Sequence, residues 1–592
     1  MKRLTLKEFV SQLTARLAAF SYEELKDVIL EHAKSLDSGE RQAYLDIFVS
    51  SGIAKGERQA RRGGEALLDE IRAFGKRVEN DEYRDGWGWD SEIHDERVWG
   101  DESWVDDLDS LVEEIDAFYN AGDYALARKA YDKLLNIYYR GVEEVELSGY
   151  DHDGMLKTDL EEVSLRYLRS VYLTEKPPSR PNALFETISN AHDSSLYSIR
   201  GMINVSLEDL PELDRFGEAW ITFLKSQKGD STVARLLKEA VSLFEGPKGL
   251  EALAREKGQE FPGAFVEWLE ALKKEEKHEE MVDAAMLGLR SLPDNLVIRA
   301  RIADYLLDAA RRLQRSDLVD LSLKEALYAS PSLKRLLDLL ESAPSEDQRM
   351  ALVDNALSRF DEIRGREAAS KGVSWIASRS PDLEGNDVPD NLEMCCYLLK
   401  ADYPKVKGLM TESRPLGWSY GGTPSALAVP FFLYAFWNQE KPLSANIADL
   451  WQGATSAGAA SFSRWENGLD DENDALEPDD LESEDLGSRF RKNLESVLNR
   501  HPMSPEDLKR CFTSAEKVAK ERVTAIVENK FRKSYWKAAQ LILAVAETYW
   551  SRDRRAEGQR MIDHFQEKYK RHSAFRRELR SMAAKSGVFS VR

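Results

Sequence analysis

Apolar residues in this 592-residue chain return every three or four positions over almost its whole length. That spacing limits the fold more than any other feature. Side chains at i, i+3, i+4 and i+7 share one face of an α-helix, whereas a half-buried strand needs strict alternation. LTLKEFVSQLTARLAAF sets Phe9, Leu13 and Leu17 on one stripe. SYEELKDVILEHAKSL follows, with Ser21 and Glu24 in a capping-box pattern. ERQAYLDIFV completes a small N-terminal bundle. No alternating run longer than four residues reads as a strand. The expected class is all-α.

Several function classes are excluded early. The most apolar segment, ALAVPFFLYAFW (Ala426 to Trp437), is too short to span a bilayer and carries Pro430. The opening residues include Lys7 and Glu8, where a signal peptide needs an unbroken apolar core. A cytoplasmic protein with no membrane contact is expected. Three cysteines in such a long chain argue against a disulfide framework. Adjacent Cys395 and Cys396, in NLEMCCYLLK, read as small core residues.

From Asp107 the pattern becomes a hairpin. In DLDSLVEEIDAFYNAGDYALARKAYDKLLNIYY, Leu111, Ile115 and Phe118 line a first helix. Gly122, Asp123 and Tyr124 make a turn, and Ala127 and Tyr131 face back from a second helix. A small residue at 127 lets two helices approach, and the aromatic fills the space beside it. This resembles a tetratricopeptide repeat. Leu134 departs from the usual small residue, and Tyr139 from the terminal proline. Two further second-helix endings stop at Pro293 and Pro331, 38 residues apart, with Gly288 and Ala326 at matching offsets and IRARIADYLLDAARRL between. The resemblance implies stacked helical hairpins, an irregular solenoid that binds proteins or peptides and carries out no catalysis.

Charge divides the chain. Gly487 to Arg592 holds 25 lysines and arginines against 12 acids, a balance of +13, whereas the preceding residues carry −35. The switch follows RWENGLDDENDALEPDDLESEDLGSRF, an acidic stretch poor in apolar residues that reads as disordered. TEKPPSRPN (Thr174 to Asn182) reads as a second, proline-bearing linker. The expected organisation is an N-terminal bundle (1–80), a tryptophan-rich acidic linker or cap (81–106), a repeat body (107–463), an acidic linker (464–487) and a separate basic helical C-terminal module (488–592). In layout alone this is similar to the all-helical substrate proteins of CRISPR-associated caspase-like proteases. That likeness implies an effector of bacterial antiviral defence, released by a partner or by cleavage in an exposed linker.

No catalytic motif emerges. GYDHDGMLKTDLEE has the look of a calcium loop, but Gly149 and Leu160 fall where its end ligands belong. His94 stands among Asp90, Glu92, Asp95 and Glu96 with no second strong ligand. GWSYGGTPSAL has a glycine pair before a helix but no lysine after it, so it reads as an ordinary turn. The eight histidines are scattered. No catalytic residue, cofactor or metal is expected.

Two segments are candidates for binding. FRKSYWK and EKYKRHSAFRRELR interleave aromatics with bases, and Arg532, Lys533, Trp536, Arg571, Arg576 and Arg577 are the residues expected to matter. They suit a solvated helix face, contact with an acidic protein, or contact with nucleic acid. GWGWDSEIHDERVWGDESW packs Trp87, Trp89, Trp99 and Trp104 among acids. Either the tryptophans cap the end of the first repeat, or Trp87 and Trp89 stand ready for a basic protein partner.

Overall fold

The structure is a computed structural model and describes residues 6–18, 63–90, 95–228, 231–370, 387–389, 391–418, 423–466 and 486–591, with positions 20, 24, 26, 28 and 29. The described residues are all-α apart from one two-stranded ribbon. The chain divides into two compact units, Met1–Glu256 and Lys257–Arg592.

The first unit begins with α1 (Leu6–Leu17) and α2 (Gly64–Glu79). The strands β1 (Gly86–Asp90) and β2 (Asp95–Trp99) follow. Then come α3 (Trp104–Asn120), α4 (Tyr124–Glu143), α5 (His152–Met155), α6 (Leu160–Thr174), α7 (Arg180–Ser189), α8 (Ile199–Asn204), α9 (Leu213–Ser226), α10 (Ser231–Phe244) and α11 (Gly246–Lys257). Helices close in sequence pack on one another, as in α3 on α4 and α9 on α10. Short connections favour this arrangement.

The expected hairpin at Asp107–Tyr139 is α3 and α4. Gly122 takes φ +85° in the turn, a conformation glycine adopts at little cost. Asp123 caps α4 by accepting from the Leu126 amide at 3.2 Å. Leu111, Ile115, Ala127 and Tyr131 are all buried, and the Tyr131 hydroxyl donates to Asp116 on the facing helix.

Two expectations fail in this unit. The two strands, five residues each, correct the reading that no strand exceeds four. The stretch Thr174–Asn182 is no linker: a 3-10 turn at Pro177–Ser179 leads straight into α7. Arg180 is buried there, its Nε donating to the Tyr172 carbonyl at 3.0 Å. The prolines that end one helix have the φ that starts the next. Helix α1 forms, but Phe9, Leu13 and Leu17 remain 50, 40 and 43% exposed. Ser21 and ERQAYLDIFV lie outside the described residues, so the capping box and third helix do too.

The second unit comprises α12 (Gly263–Lys274), α13 (His278–Ser291), α14 (Ile298–Arg312), α15 (Ser316–Ala329), α16 (Leu333–Ser342), α17 (Glu346–Ser370), α18 (Leu392–Leu399), α19 (Tyr403–Glu412), α20 (Ser425–Phe436) and α21 (Ala445–Glu466). It continues with α22 (Leu486–Arg500), α23 (Pro505–Glu528), α24 (Tyr535–Ser551), α25 (Arg555–Lys568) and α26 (Ser573–Ser586). Helices α13 and α15 end just before Pro293 and Pro331. A Cβ at Gly288 would lie 3.2 Å from both Ile302 and Phe265, so the glycine permits the close approach of α14 to α13. Helix α20 runs through Pro430 and is buried on every side, which accounts for its apolar sequence. Among the described residues, no helix is long and apolar enough to cross a membrane.

One apolar core runs from Leu323 to Phe589. It joins helices on both sides of the acidic stretch: the rings of Phe436 and Phe512 stack at 4.2 Å. The change of charge at Gly487 is therefore a change of surface and not a break in the core. Residues 464–466 and 486–490 are helical, and 467–485 lie outside the described residues. Cys395, Cys396 and Cys511 are buried in the same core, and burial pushes their thiols up from the ordinary value.

Candidate partner-binding site

The tryptophan segment is an antiparallel ribbon. Its register pairs Gly86 with Trp99, Trp87 with Val98, Gly88 with Arg97 and Trp89 with Glu96. Paired residues share a face, and successive residues alternate. Trp87 and Trp89 thus lie on the face of Val98 and Glu96; Arg97 and Trp99 lie on the glycine face.

An isolated two-stranded ribbon is marginal in water, and this one is pinned. Val98 exchanges both backbone hydrogen bonds with Gly149, at 3.0 and 2.8 Å. The Asp85 amide donates to the Trp99 carbonyl at 2.7 Å. Gly100, at φ +156°, passes so close to Tyr83 that a Cβ would sit 2.0 Å from its carbonyl oxygen. Tyr83 is itself buried, its hydroxyl donating to Asp107 at 2.7 Å. On the glycine face, Arg97 lies 4.8 Å from the Trp99 ring centroid and pairs with Glu102 at 2.7 Å.

The four tryptophans therefore separate. Trp104 is fully buried at the start of α3, and its indole nitrogen donates to the Ser148 carbonyl at 2.9 Å. Trp99 is 43% exposed, whereas Trp87 and Trp89 are 56 and 66% exposed. Asp81, Glu82, Asp85 and Glu96 are exposed nearby in the chain. The result is a pair of exposed indoles, carried on a ribbon whose second strand is pinned by its backbone, in an acidic setting. Tryptophan is the side chain most often found to dominate a protein interface.

The other sequence candidates fall into place. In the Gly149–Glu162 stretch, Asp151 caps α5 and Asp159 caps α6, while Asp153 accepts from the Tyr138 hydroxyl. His94 and the Gly421–Gly422 pair lie outside the described residues. In the second unit, Arg532 and Lys533 form an exposed 3-10 turn beside Trp536, 42% exposed, at the start of α24. Arg571, Arg576 and Arg577 lie around the start of α26. Arg577 meets Glu578 at 3.3 Å. The two segments meet where the Tyr535 and Phe575 rings approach to 5.9 Å.

Sequence reasoning missed the buried ionic groups. A cavity of about 340 Å³ is lined by Asp294, Arg299, Lys324, Glu325, Tyr328 and Arg359 among others. Its main charges are paired: Arg299 with Glu325 at 2.6 Å and Arg359 with Asp294 at 2.8 Å. The guanidiniums of Arg366 and Arg359 hold the Asp294 carboxyl down to about 2. Sequence does carry a signal for such groups, namely a charge on an apolar helical stripe. Arg522 is one, four residues from both Val518 and Ile526, and all three are buried.

No protein-family model matches this chain, and no curated protein is similar enough to it to count as a match.

Proposed function

We propose that this protein is a non-enzymatic, cytoplasmic adaptor of tetratricopeptide-like helical hairpins that binds a basic protein partner through the Trp87–Trp89 face. The observation that carries this reading is the exposure of two indoles on a ribbon whose backbone is pinned. Exposed aromatics on a fixed scaffold lose little entropy on binding. The acids around them favour a partner rich in lysine and arginine. The α3–α4 hairpin supports the repeat assignment through buried Ala127 and Tyr131.

The test is the double variant Trp87→Ala/Trp89→Ala. Its unfolding free energy is expected to stay within about 0.5 kcal/mol of the parent, as for surface positions. Its affinity for a lysine- and arginine-rich peptide, measured by calorimetry, should fall roughly thirtyfold, the loss of one hot-spot residue. A large loss of stability with unchanged peptide binding would make the tryptophans a packed cap and end the proposal.

The charge split supports a second reading, a defence effector whose basic C-terminal helices contact nucleic acid or an acidic protein when released. The shared core from Leu323 to Phe589 weighs against release by cleavage alone, because apolar burial persists after a backbone cut.

A further inference from the structure

Positive charge and exposed aromatic surface coincide on the last helices. Residues 528–537 run from the end of α23 through the 3-10 turn at Arg532–Ser534 into α24, and residues 567–580 run from the end of α25 into α26. Together these segments hold ten lysines and arginines against three acids. All three acids are engaged by cations of the same segments: Glu528 with Lys568 at 3.1 Å, Glu567 with Lys570 at 2.6 Å and Glu578 with Arg577 at 3.3 Å. The surplus is positive and faces solvent, with Lys530, Arg532, Lys533, Arg571 and Arg580 exposed.

The two segments touch. Besides the Lys568–Glu528 pair, the Tyr569 hydroxyl donates to Glu528 at 3.2 Å. Phe575, in the first turn of α26, meets Tyr535 edge-on with ring centroids 5.9 Å apart. Tyr535, Tyr569 and Phe575 are buried in one core, so both basic segments are seated on the same packing. Beyond Leu443, Phe531 and Trp536 are the only large apolar side chains that stand exposed among the described residues, at 48 and 42%. They flank the 3-10 turn, and its backbone is closed: the Phe531 amide donates to the Ile526 carbonyl at 3.1 Å and the Ser534 amide to the Phe531 carbonyl at 2.9 Å.

We propose that this surface binds single-stranded nucleic acid, its phosphates met by the exposed cations and its bases lying on Phe531 and Trp536. Cations that neutralise phosphates release condensed counterions, which favours binding at low salt. Every base has a flat face for an aromatic ring, so stacking requires no particular sequence, but it does require a base drawn out of any duplex. An acidic protein would answer the charge and leave the two rings unexplained. The inference rests on the basic C-terminal surface of the second reading above and narrows its partner to one class. It needs no release, because the patch is exposed on the intact core.

The test is fluorescence anisotropy of a labelled oligothymidine of about twelve nucleotides, titrated with the full chain over a range of salt. The same strand in duplex and a labelled polyglutamate peptide of matched charge run beside it. The single strand should bind more tightly than the duplex, with affinity falling as salt rises. Phe531→Ala and Trp536→Ala should each weaken binding roughly tenfold, the loss of one stacked base, with the salt slope unchanged. Lys533→Gln/Arg571→Gln removes one cation from each segment and should flatten the logarithmic salt slope by about 1.4, the share of two phosphate contacts. All four side chains are exposed, so each variant should keep the parent's melting temperature. Equal binding of the duplex overturns the proposal, as does an affinity that neither aromatic variant changes. Failure to bind the single strand at low salt overturns it too. In that event, binding of polyglutamate would keep an acidic protein as the partner of the second reading, and no binding of either would remove the charge argument behind that reading.

Discussion

Glu547 lies fully buried on α24, and no cation pairs with it among the described residues. It accepts hydrogen bonds from Ser444 and from Asn446, the latter at 2.7 Å. Asn446 also donates to the Met582 carbonyl at 3.1 Å, so one carboxyl joins the start of α21, the middle of α24 and the end of α26. Desolvation raises the Glu547 pKa, and the hydrogen bonds only partly offset it. The folded state therefore holds this proton more tightly than the unfolded chain does. Its stabilising effect is complete below the unfolded value of about 4.3 and fades as pH rises through the higher folded value. Glu547→Gln keeps the shape without the charge, and the Ser444 hydroxyl can turn to accept. We expect it to raise unfolding free energy by about 1 kcal/mol near neutral pH, with the gain shrinking toward about pH 4. Denaturant titration at the two pH values checks this; a loss at neutral pH that disappears in acid would mean that the ionised form is the one the fold needs.

At the level of elements, the ribbon holds the lesson. A Cβ at Gly88 would meet nothing within 4 Å, so packing does not require glycine there. Gly88→Val should stabilise by about 0.5–1 kcal/mol through lower unfolded-state entropy and better strand propensity, and should slow amide exchange in β1. A destabilised variant would show that the ribbon must flex at this position. Sequence did not reveal these strands because glycine at 86 and 88 hides the alternation of Trp87 and Trp89. The register depends on Gly149 and Gly100, the first of them fifty residues away from Trp99 in the chain. The α3–α4 hairpin was legible because helix caps, turn and apolar stripe are all local signals. Of the candidate site, composition marked the right segment; only the paired strands distinguish exposed Trp87 and Trp89 from buried Trp104.

For the molecule as a whole, the acidic stretch and the core tell different stories. A cut within residues 467–485 leaves pieces that share the core from Leu323 to Phe589. We expect the nicked protein to elute as one species in low and in high salt and to part only in denaturant, since salt screens charges and strengthens apolar burial. Separation on raising the salt would mean that charge, not the core, holds the pieces. By itself the sequence determined the all-α class, the α3–α4 hairpin and the proline-stopped helices α13 and α15, because these follow from periodicity and from backbone chemistry within a few residues. Tertiary structure alone decided that the C-terminal helices belong to a shared core, that the ribbon exists, and that Arg522 is buried with no carboxylate paired to it among the described residues. Each of those depends on which distant faces meet, and a helical stripe says that a face is apolar but not what will cover it.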